Sequence, residues 1–218
     1  SINPSKIIYS LLLYSMQLII ASSNIHKVKE LDVLFQGVLP FKVCSARICG
    51  GMPLVNEDGE TFIENAQKKA LALMQIAPSD AWILADDSGL LVDALDGAPG
   101  VYSARYAGEQ ANDEQNVDKL LKVLQSVPVR QRTARFNCAL CLINPDGRIM
   151  HFTGACEGHI AMNATAGAGF GYDPVFIPNG YAHSFAELGD ATKSEISHRA
   201  LAVRSMCQEL QGLDVQST

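Results

Sequence analysis

The stretch LIIASSNIHKVKELDVLF, residues 18–35, decides the fold class. Its first four residues are a short apolar run of the kind that forms a buried strand. From Asn24 onward the apolar side chains follow helical spacing, and they are Val28, Leu31, Leu34 and Phe35. A strand, a short polar turn and a helix in this order predict that the chain opens as an α/β unit.

A second helix and a second buried strand follow this unit. Apolar residues at helical spacing predict a helix over residues 61–76, and Pro78 ends it. Residues 82–85, with the sequence Trp-Ile-Leu-Ala, form another buried-strand run. We therefore expect Asp86 and Asp87 to lie at the carboxyl end of this strand.

The second half of the chain adds a helix, a hairpin and a final helix. Asn112 and Gln115 have the spacing of a capping box, which predicts a helix start there. Residues 136–143 and 148–153 flank an Asn-Pro-Asp-Gly turn and predict a β-hairpin. Apolar residues at helical spacing predict a last helix over residues 194–210.

The alternation of helices with strands, together with one hairpin, predicts an α/β fold with a mixed sheet. The composition agrees with one folded domain, because 48% of the 218 residues are apolar and 18% are charged. The formal charge of −6 disfavours nucleic-acid polymers as partners, since binding them requires a basic surface. A small anionic ligand remains compatible with this charge.

Residues 1–15 are interpreted as an extension, and the domain is expected to cover residues 16–218. A lysine followed by an apolar run resembles a signal peptide, but cleavage near Ala21 would remove the first strand. The run is also too short for a membrane span, which needs about 20 residues. We therefore expect a cytoplasmic protein whose first 15 residues are a vector remnant, an over-long start or a loosely attached extension.

Cys138 and Cys141 form a C-x-x-C pattern, which occurs in redox pairs and in zinc sites. Both lie in a predicted strand, where residues three apart point to opposite faces. The sequence contains no second C-x-x-C that would complete a four-thiolate zinc site. We expect buried, reduced thiols.

The polar turn after the first strand contains Ser22, Ser23, Asn24 and Lys27. The free N–H groups of a helix N-terminus bind anions, and hydroxyl, amide and ammonium groups beside them suit a polyphosphate. The alternative is an ordinary helix cap with a surface lysine.

Asp86 and Asp87 are adjacent carboxylates after a buried strand, where they are costly unless they bind donors or a metal. Magnesium prefers oxygen ligands and combines one or two carboxylates with substrate phosphates. Ser88 and Gly89 would let a turn approach a ligand closely. Glu57, in an acidic segment before the second helix, is a candidate second carboxylate. The alternative for Asp86 and Asp87 is a charged turn. The alternative for the Glu57 segment is that its acids only favour the macrodipole of the helix that follows.

Two later segments suit a flat heterocycle and its phosphates. In residues 167–174, Phe170 lies on a glycine platform with a carboxylate after it, which suits stacking on a base. The alternative is a core phenylalanine in a glycine-rich hairpin. Lys193, His198 and Arg199 offer donors to phosphate and to a base edge, or they form a solvated helix start. The chain contains no P-loop, which disfavours a kinase.

Together these segments resemble the inosine triphosphatase family, the Ham1-like pyrophosphatases of non-canonical purine nucleoside triphosphates. The match runs in family order from about Met16 to the last helix. The motifs that carry it are Ser22-x-Asn24-x-x-Lys27, Glu57-x-Gly59-x-Thr61-Phe62-x-Glu64-Asn65-Ala66, Ala85-Asp86-Asp87-Ser88-Gly89-Leu90, Gly97-Ala98-Pro99-Gly100-Val101-Tyr102-Ser103-Ala104-Arg105-Tyr106, Gly169-Phe170-Gly171-Tyr172-Asp173-Pro174 and Lys193-Ser194-x-Ile196-Ser197-His198-Arg199.

The resemblance implies a role for each candidate residue. Asp87 matches the proton acceptor and a metal ligand, Glu57 matches a second metal ligand, and Asp86 supports the same magnesium site. The residues that match the triphosphate site are Ser22, Ser23, Asn24, Lys27 and Ser88. The residues that match the base-binding segment are Phe170, Gly171, Tyr172 and Asp173. Phosphate and base contacts are expected from Lys193, His198 and Arg199.

The resemblance also implies two lobes around a nucleotide cleft, usually in a homodimer. The expected reaction is attack of water on the α-phosphorus of ITP, dITP or XTP, with Mg²⁺ as cofactor and pyrophosphate as leaving group. His198 and Arg199 would donate to the 6-oxo group of the base, where adenine carries an amino group. The alternatives are a pyrophosphatase for other nucleotides and a nucleotide sensor without catalysis.

Overall fold

The computed structural model describes residues 16–216, and side chains as far as residue 211. Its strands are β1 (Met16–Ile20), β2 (Phe41–Ser45), β3 (Trp82–Val92), β4 (Thr133–Ile143), β5 (Ile149–Ile160) and β6 (Phe176–Pro178). They form one six-stranded sheet in the order β2-β1-β3-β4-β5-β6. β1 pairs in parallel with β2 and β3, and the remaining pairs are antiparallel. The predicted mixed sheet is confirmed.

Within residues 16–216, five α-helices flank the sheet. They are α1 (Ile25–Phe35), α2 (Phe62–Met74), α3 (Asp113–Val123), α4 (Phe185–Ile196) and α5 (His198–Gln216). The predicted N-termini of the first three are confirmed by their caps. The side chains of Asn24 and Thr61 accept backbone N–H groups of α1 and α2, and Asn112 and Gln115 form the capping box of α3.

The two-residue period of the strands divides the core between two faces of the sheet. Cys138 and Leu140 of β4 belong to a cluster with α1 and α5 on one face. Cys141 and Ile143 of the same strand pack with α2 on the other face. The expected separation of the two cysteines is therefore confirmed, and all six cysteines, each within the described range, are free thiols.

The long strands β3, β4 and β5 run from one lobe of the molecule into another. Leu84 lies in the cluster with α1 and α5, whereas Leu90, further along β3, packs with α3, α4 and β6. The sheet therefore supports both lobes, and the middle of β3 lies where they meet.

The strand that carries Asp86 and Asp87 is longer than predicted. β3 continues through both aspartates to Val92, so the doublet lies mid-strand and not at a carboxyl end. Residues 88 and 89 form no turn, because they pair with Cys138 and Asn137 of β4. Gly89 serves a different purpose there: a Cβ would lie 2.5 Å from the carbonyl oxygen of Gly100, so only glycine admits this close approach.

The predicted last helix is also wrong in one respect, since it is two helices. Lys193 lies in the last turn of α4, whereas His198 and Arg199 begin α5. Ser197 between them is extended (φ −68°, ψ 157°), and its hydroxyl accepts from the Ala200 N–H at 3.2 Å. A serine cap therefore starts a new helix where the apolar spacing continues unbroken.

The interpretation of residues 1–15 as an extension lies outside the described residues. Across residues 16–216, none of the helices has both the length and the apolar character that crossing a membrane requires.

Candidate active site

The site begins at an open edge of the sheet, where β1 ends and β3 continues. The Leu84 carbonyl accepts from the Ala21 N–H at 2.8 Å, which is the last such contact along this edge. Within residues 16–216, no strand pairs with residues 86–88 on this side of β3. Backbone groups alternate along a strand, so the N–H groups of Asp86 and Ser88 point the same way as the Leu84 carbonyl. The open edge therefore offers backbone donors.

Asp86 and Asp87 point to opposite faces of the sheet. Asp86 pairs with Leu140 and shares the face of α1 and α5, whereas Asp87 faces α2. Each carboxylate therefore meets its own set of cations, and the two are described separately below.

The Asp86 carboxylate is completely enclosed and fully hydrogen-bonded. Lys27 Nζ lies 2.6 Å from Oδ1 and Arg199 Nε lies 2.8 Å from Oδ2. The Ser88 hydroxyl donates at 3.0 Å and the Cys138 thiol at 3.2 Å. Burial disfavours the charge, but Arg199 and Lys27 outweigh it and hold the pKa of Asp86 well below its ordinary 3.8.

The Asp87 carboxylate shares one lysine with Glu57. Lys69 Nζ lies 2.7 Å from Asp87 Oδ1 and 2.8 Å from Glu57 Oε2. Burial raises the pKa of Asp87 above 3.8, and Lys69 offsets only part of that effect. Glu57 is more exposed, and Lys69 lowers its pKa despite partial burial. Two carboxylates therefore face one ammonium group on this side of β3.

The loop that carries Glu57 is held by neighbouring side chains. Arg105 Nη2 donates to the Glu57 carbonyl at 3.0 Å. The buried Asn65 side chain accepts from the Gly59 N–H at 2.8 Å, and Glu64 accepts from the Glu60 N–H at 2.8 Å. These contacts fix the position of the Glu57 carboxylate opposite Asp87.

A chain of alternating charges connects Asp86 with the glycine-rich loop. Arg199 also contacts Glu30, whose Oε1 lies 2.6 Å from Lys193 Nζ. Lys193 Nζ in turn lies 2.6 Å from Asp173 Oδ2. With Lys27 at its start, the chain joins three cations and three carboxylates, so its formal charges cancel.

The glycine-rich loop presents Phe170 at the end of this chain. Asp173 Oδ2 accepts from the Phe170 N–H at 2.9 Å, and the Tyr172 hydroxyl donates to the Ser103 carbonyl at 2.8 Å. Lys193 Nζ lies 4.5 Å from the centroid of the Phe170 ring. Gly169 has φ +103°, and a Cβ there would lie 2.3 Å from the Asp173 carboxylate. The loop is therefore rigid enough to hold an aromatic ring in place.

His26 from α1 stacks on the same Phe170 ring, with 5.2 Å between centroids and 19° between planes. The stack joins the N-terminal turn of α1 to the glycine-rich loop of the other lobe.

His198 is a buried, neutral side chain in this region. Its ring stacks on Phe136 at 4.8 Å, and its Nδ1 has no hydrogen-bond partner in the described part of the chain. Burial, followed by the nearby Arg199, lowers the pKa of His198 well below 6.5. A neutral imidazole offers one donor and one acceptor.

Two cavities meet at Phe170 and Lys193. The first is lined by Asn24, Lys27, Ser88, Gly89, Ser103, Ala104, Asp113, Asn116, Phe136, Phe170, Gly171, Tyr172, Asp173, Lys193, His198 and Arg199. The second is lined by His26, Lys29, Glu30, Val33, Leu34, Gly169, Phe170, Asp190, Lys193, Ser194 and Ser197. Segments far apart in sequence thus converge on one cleft.

Other candidates lie beside the first cavity or away from it. Ser22 accepts from the Asn24 N–H at 3.1 Å, which makes it part of the helix cap, and Ser23 is exposed. Glu57 and Asp87 are not lining residues, but Lys27 of the cavity lowers the pKa of both. The carboxylate pair and the cavity therefore belong to one electrostatic unit.

The sequence analysis missed the lining residues Asp113, Asn116 and Phe136. It also missed Lys69 and Glu30, which form ion pairs with residues of the site. Lys69 follows Ala66 by three residues and precedes Leu73 by four, so it lies on the apolar stripe of α2. A lysine at a buried position is rare unless paired, and this was an available signal. Glu30 has no comparable signal, because its partners lie more than 160 residues away.

Comparison with known proteins identifies the family to which this chain belongs. A model of the Ham1 family matches residues 18–209, which is most of the chain. The chain belongs to the Ham1 family. Among similar proteins, the dITP/XTP pyrophosphatase of Opitutus terrae is 47% identical over 192 residues, covering 86% of this chain and 95% of that protein. The dITP/XTP pyrophosphatase of Leuconostoc mesenteroides is 45% identical over 196 residues, covering 89% of this chain and 96% of that protein.

Solved structures of Ham1 proteins have the same architecture. The Staphylococcus aureus Ham1 protein matches with a TM-score of 0.78 at 37% identity, covering 90% of this chain and 98% of that one. The Coxiella burnetii HAM1 protein matches with a TM-score of 0.79 at 35% identity, covering 90% and 99%. The fold described above is therefore the Ham1 fold over nearly its whole length.

Proposed function

We propose that this chain hydrolyses dITP, ITP and XTP to the nucleoside monophosphate and pyrophosphate. The observation that carries the proposal is the Glu57–Lys69–Asp87 group beside the open edge of β3, next to a cavity that ends at an aromatic ring. The first feature supplies carboxylates that suit a metal bound to phosphates, and the second supplies a ring on which a purine can stack. The names of the relatives, dITP/XTP pyrophosphatases, support this substrate class.

Magnesium is the proposed cofactor, held by Glu57 and Asp87. A cation of this chain already lies between these two carboxylates, since Lys69 Nζ is within 2.8 Å of both, and carboxylate oxygens are the ligands that magnesium prefers. Among residues 16–216, no group of three or more His, Cys, Asp or Glu side chains is arranged to hold a metal. Bound there, the metal would neutralise charge on the phosphates.

Asp86 has a supporting role in this proposal. Both of its oxygens already accept from Lys27 and Arg199, and it faces away from Asp87. It therefore serves the site by fixing those two cations, which line the first cavity.

Asp87 is the proposed acceptor of the proton from water. The water attacks the α-phosphorus, and the bond from that phosphorus to the bridging oxygen of pyrophosphate breaks. Lys27 and the backbone N–H groups at the open edge of β3 are placed to donate to phosphate oxygens, with Asn24 and Ser88 beside them. The contribution of these residues is positioning and charge stabilisation.

Base selection is assigned to the neighbourhood of Phe170, on which the purine stacks. Arg199 donates to Asp86, Glu30 and Ser88, and Lys193 donates to Glu30 and Asp173, whereas His198 Nδ1 has no partner among the described residues. His198 is therefore the proposed donor to the 6-oxo group, and adenine would place its amino donor against it. Tyr172 and Asp173 act by holding the loop.

A homodimer and a cytoplasmic location are proposed on the resemblance alone. Size-exclusion chromatography with light scattering tests the first, and a mass near twice 23.5 kDa is the expected result. A single-chain mass would contradict it.

The decisive experiment is product analysis with a nucleotide panel. The protein is incubated with Mg²⁺ and ITP, XTP, GTP, ATP or dUTP, and nucleotides and pyrophosphate are measured separately. We expect monophosphate and pyrophosphate from ITP and XTP, with little product from ATP and GTP. Diphosphate with orthophosphate, or equal rates on all five, would contradict the assignment, and binding without any product would indicate a sensor.

A further inference from the structure

The buried lysine of α2 occupies the position where the proposed metal ligands converge. Lys69 Nζ lies 2.7 Å from Asp87 Oδ1 and 2.8 Å from Glu57 Oε2, and its side chain is 10% exposed. The ammonium thus bridges the two carboxylates proposed to hold magnesium. This arrangement raises the question of how a second cation enters.

We infer that Lys69 and the divalent cation compete for the same carboxylate oxygens, so that metal and nucleotide bind cooperatively. The inference rests on the proposed function and adds an order to its binding steps. When a nucleotide binds, the Lys69 ammonium leaves Glu57 and Asp87 and donates its N–H groups to phosphate oxygens. Without a nucleotide, the lysine keeps the carboxylates occupied and metal binding is weak.

Distances make the competition direct. Magnesium coordinates oxygen at about 2.0–2.1 Å, and an oxygen that already accepts from an ammonium at 2.7–2.8 Å has that ammonium within a few ångströms of the metal position. Two cations this close repel each other strongly in a partly buried site. Displacement of Lys69 toward an anion removes the repulsion.

Charge balance shows why the competition is confined to this face. On the other face of β3, the chain from Lys27 to Asp173 contains equal numbers of cations and carboxylates. Around Lys69 there are two carboxylates for one lysine, so a net negative charge remains. This face attracts a divalent cation, and Lys69, which contacts both carboxylates, opposes its entry directly.

The test measures binding of Mn²⁺ to the full-length protein by electron paramagnetic resonance, with no turnover involved. Lys69→Met removes the competing ammonium, and Lys69→Gln removes its charge but keeps hydrogen bonds. Lys68→Met is the matched control, because Lys68 immediately precedes Lys69 in the same helix and pairs with the exposed Asp58. We expect both Lys69 variants to bind Mn²⁺ about tenfold or more tightly than wild type, and Lys68→Met to equal wild type.

A second measurement uses the wild-type protein alone, which keeps the inference testable if the variants do not fold. The α,β-methylene analogue of ITP should raise wild-type affinity for Mn²⁺ by about tenfold or more, and Mn²⁺ should raise affinity for the analogue equally. Equal Mn²⁺ affinity with and without the analogue would overturn the inference, as would unchanged or weaker binding by folded Lys69 variants.

The two proposals fail separately. If ITP yields monophosphate and pyrophosphate but the Mn²⁺ measurements show no coupling, the function stands and the competition is wrong. If coupling appears but no triphosphate is hydrolysed, the competition stands and the proposed function is wrong.

Discussion

Asp86 and Asp87 are consecutive residues of one strand, yet they lie in opposite environments. Asp86 is enclosed among Lys27, Arg199 and a thiol, with every oxygen occupied. Asp87 shares a single lysine with a second carboxylate, and its pKa is raised where that of Asp86 is lowered. The surrounding cations stabilise the ionised form of Asp86, whereas ionisation of the buried Asp87 costs free energy.

The difference assigns a structural role to the face of β3 that carries Asp86, here called the structural face. It assigns the chemistry to the face that carries Asp87, here called the chemical face. A carboxylate whose oxygens are all occupied by protein donors positions those donors and has nothing left for a substrate. A carboxylate with spare capacity and a raised pKa has the properties of a base. Adjacent acids in a sequence therefore need not form one site, because a strand sends them to opposite sides.

The largest expected effect tests the chemical face. Asp87→Asn removes the proposed base and one metal ligand, so kcat for ITP should fall roughly a thousandfold or more. Steady-state kinetics measures this, and circular dichroism should show an intact fold. Activity within tenfold of wild type would end the assignment of Asp87 as base.

The next effect concerns stability and should separate the two aspartates. Asp86→Asn leaves Lys27 without its counter-charge and Arg199 with Glu30 alone, and should lower the free energy of unfolding by about 3–5 kcal/mol. Asp87→Asn should be neutral or slightly stabilising, because burial makes the charged form costly and Lys69 retains Glu57. Urea unfolding at pH 7 measures both. Equal losses would mean that the two faces do not differ in this way.

A smaller effect tests whether base binding is separate from the chemical face. Phe170→Ala removes the proposed stacking ring and should raise KM for ITP roughly 10- to 100-fold, since stacking contributes about 1–3 kcal/mol per base. The value of kcat should change far less, because the cavity that Phe170 lines does not include Asp87. Phe170→Trp is the matched control and should keep KM near wild type. A fall in kcat alone would place Phe170 in the chemistry.

The smallest expected effect is a pH dependence on the structural face. Below about pH 6.5 His198 binds a proton in the unfolded chain but not in the folded protein, where it is buried. The free energy of unfolding therefore falls as the pH is lowered, by up to about 1.4 kcal/mol per pH unit. His198→Gln should remove this part of the decline. His183→Gln, at an exposed histidine, is the control. Urea unfolding at pH 7.5, 6.5 and 5.5 measures the slopes, and identical slopes in all three proteins would show that His198 titrates normally.

Much of the fold was predictable from local pattern. Helical spacing and caps at Asn24, Thr61 and Asn112 located three helices, and the two-residue period separated Cys138 from Cys141. These features depend on neighbouring residues only, so a single sequence contains them.

The errors came where a tertiary contact overrides local pattern. Ser88 and Gly89 resemble a turn, but their pairing with β4 continues the strand, and the close approach of Gly100 accounts for the glycine. The same extension moved Asp86 and Asp87 to opposite faces. The break at Ser197 escaped notice because apolar spacing runs through both helices.

The candidate site was predictable as a set of residues but not as an arrangement. Most residues named from motifs do line the first cavity, including Lys27, Phe170 and His198. Their pairing was not predictable, because Glu30 meets Lys193 and Arg199 across more than 160 residues of chain. Ion pairs between such distant positions leave no spacing pattern in one sequence.

The alternating charges from Lys27 to Asp173 also constrain how this protein can evolve. Loss of Glu30 alone would leave the buried cations of Lys193 and Arg199 facing each other. Loss of Arg199 alone would leave the carboxylates of Glu30 and Asp86 facing each other. Single replacements are therefore selected against, and neutral drift must proceed through exchanges of opposite charge at two positions together. Among descendants of a common ancestor, positions 30, 193 and 199 are expected to covary more tightly than the apolar positions around them.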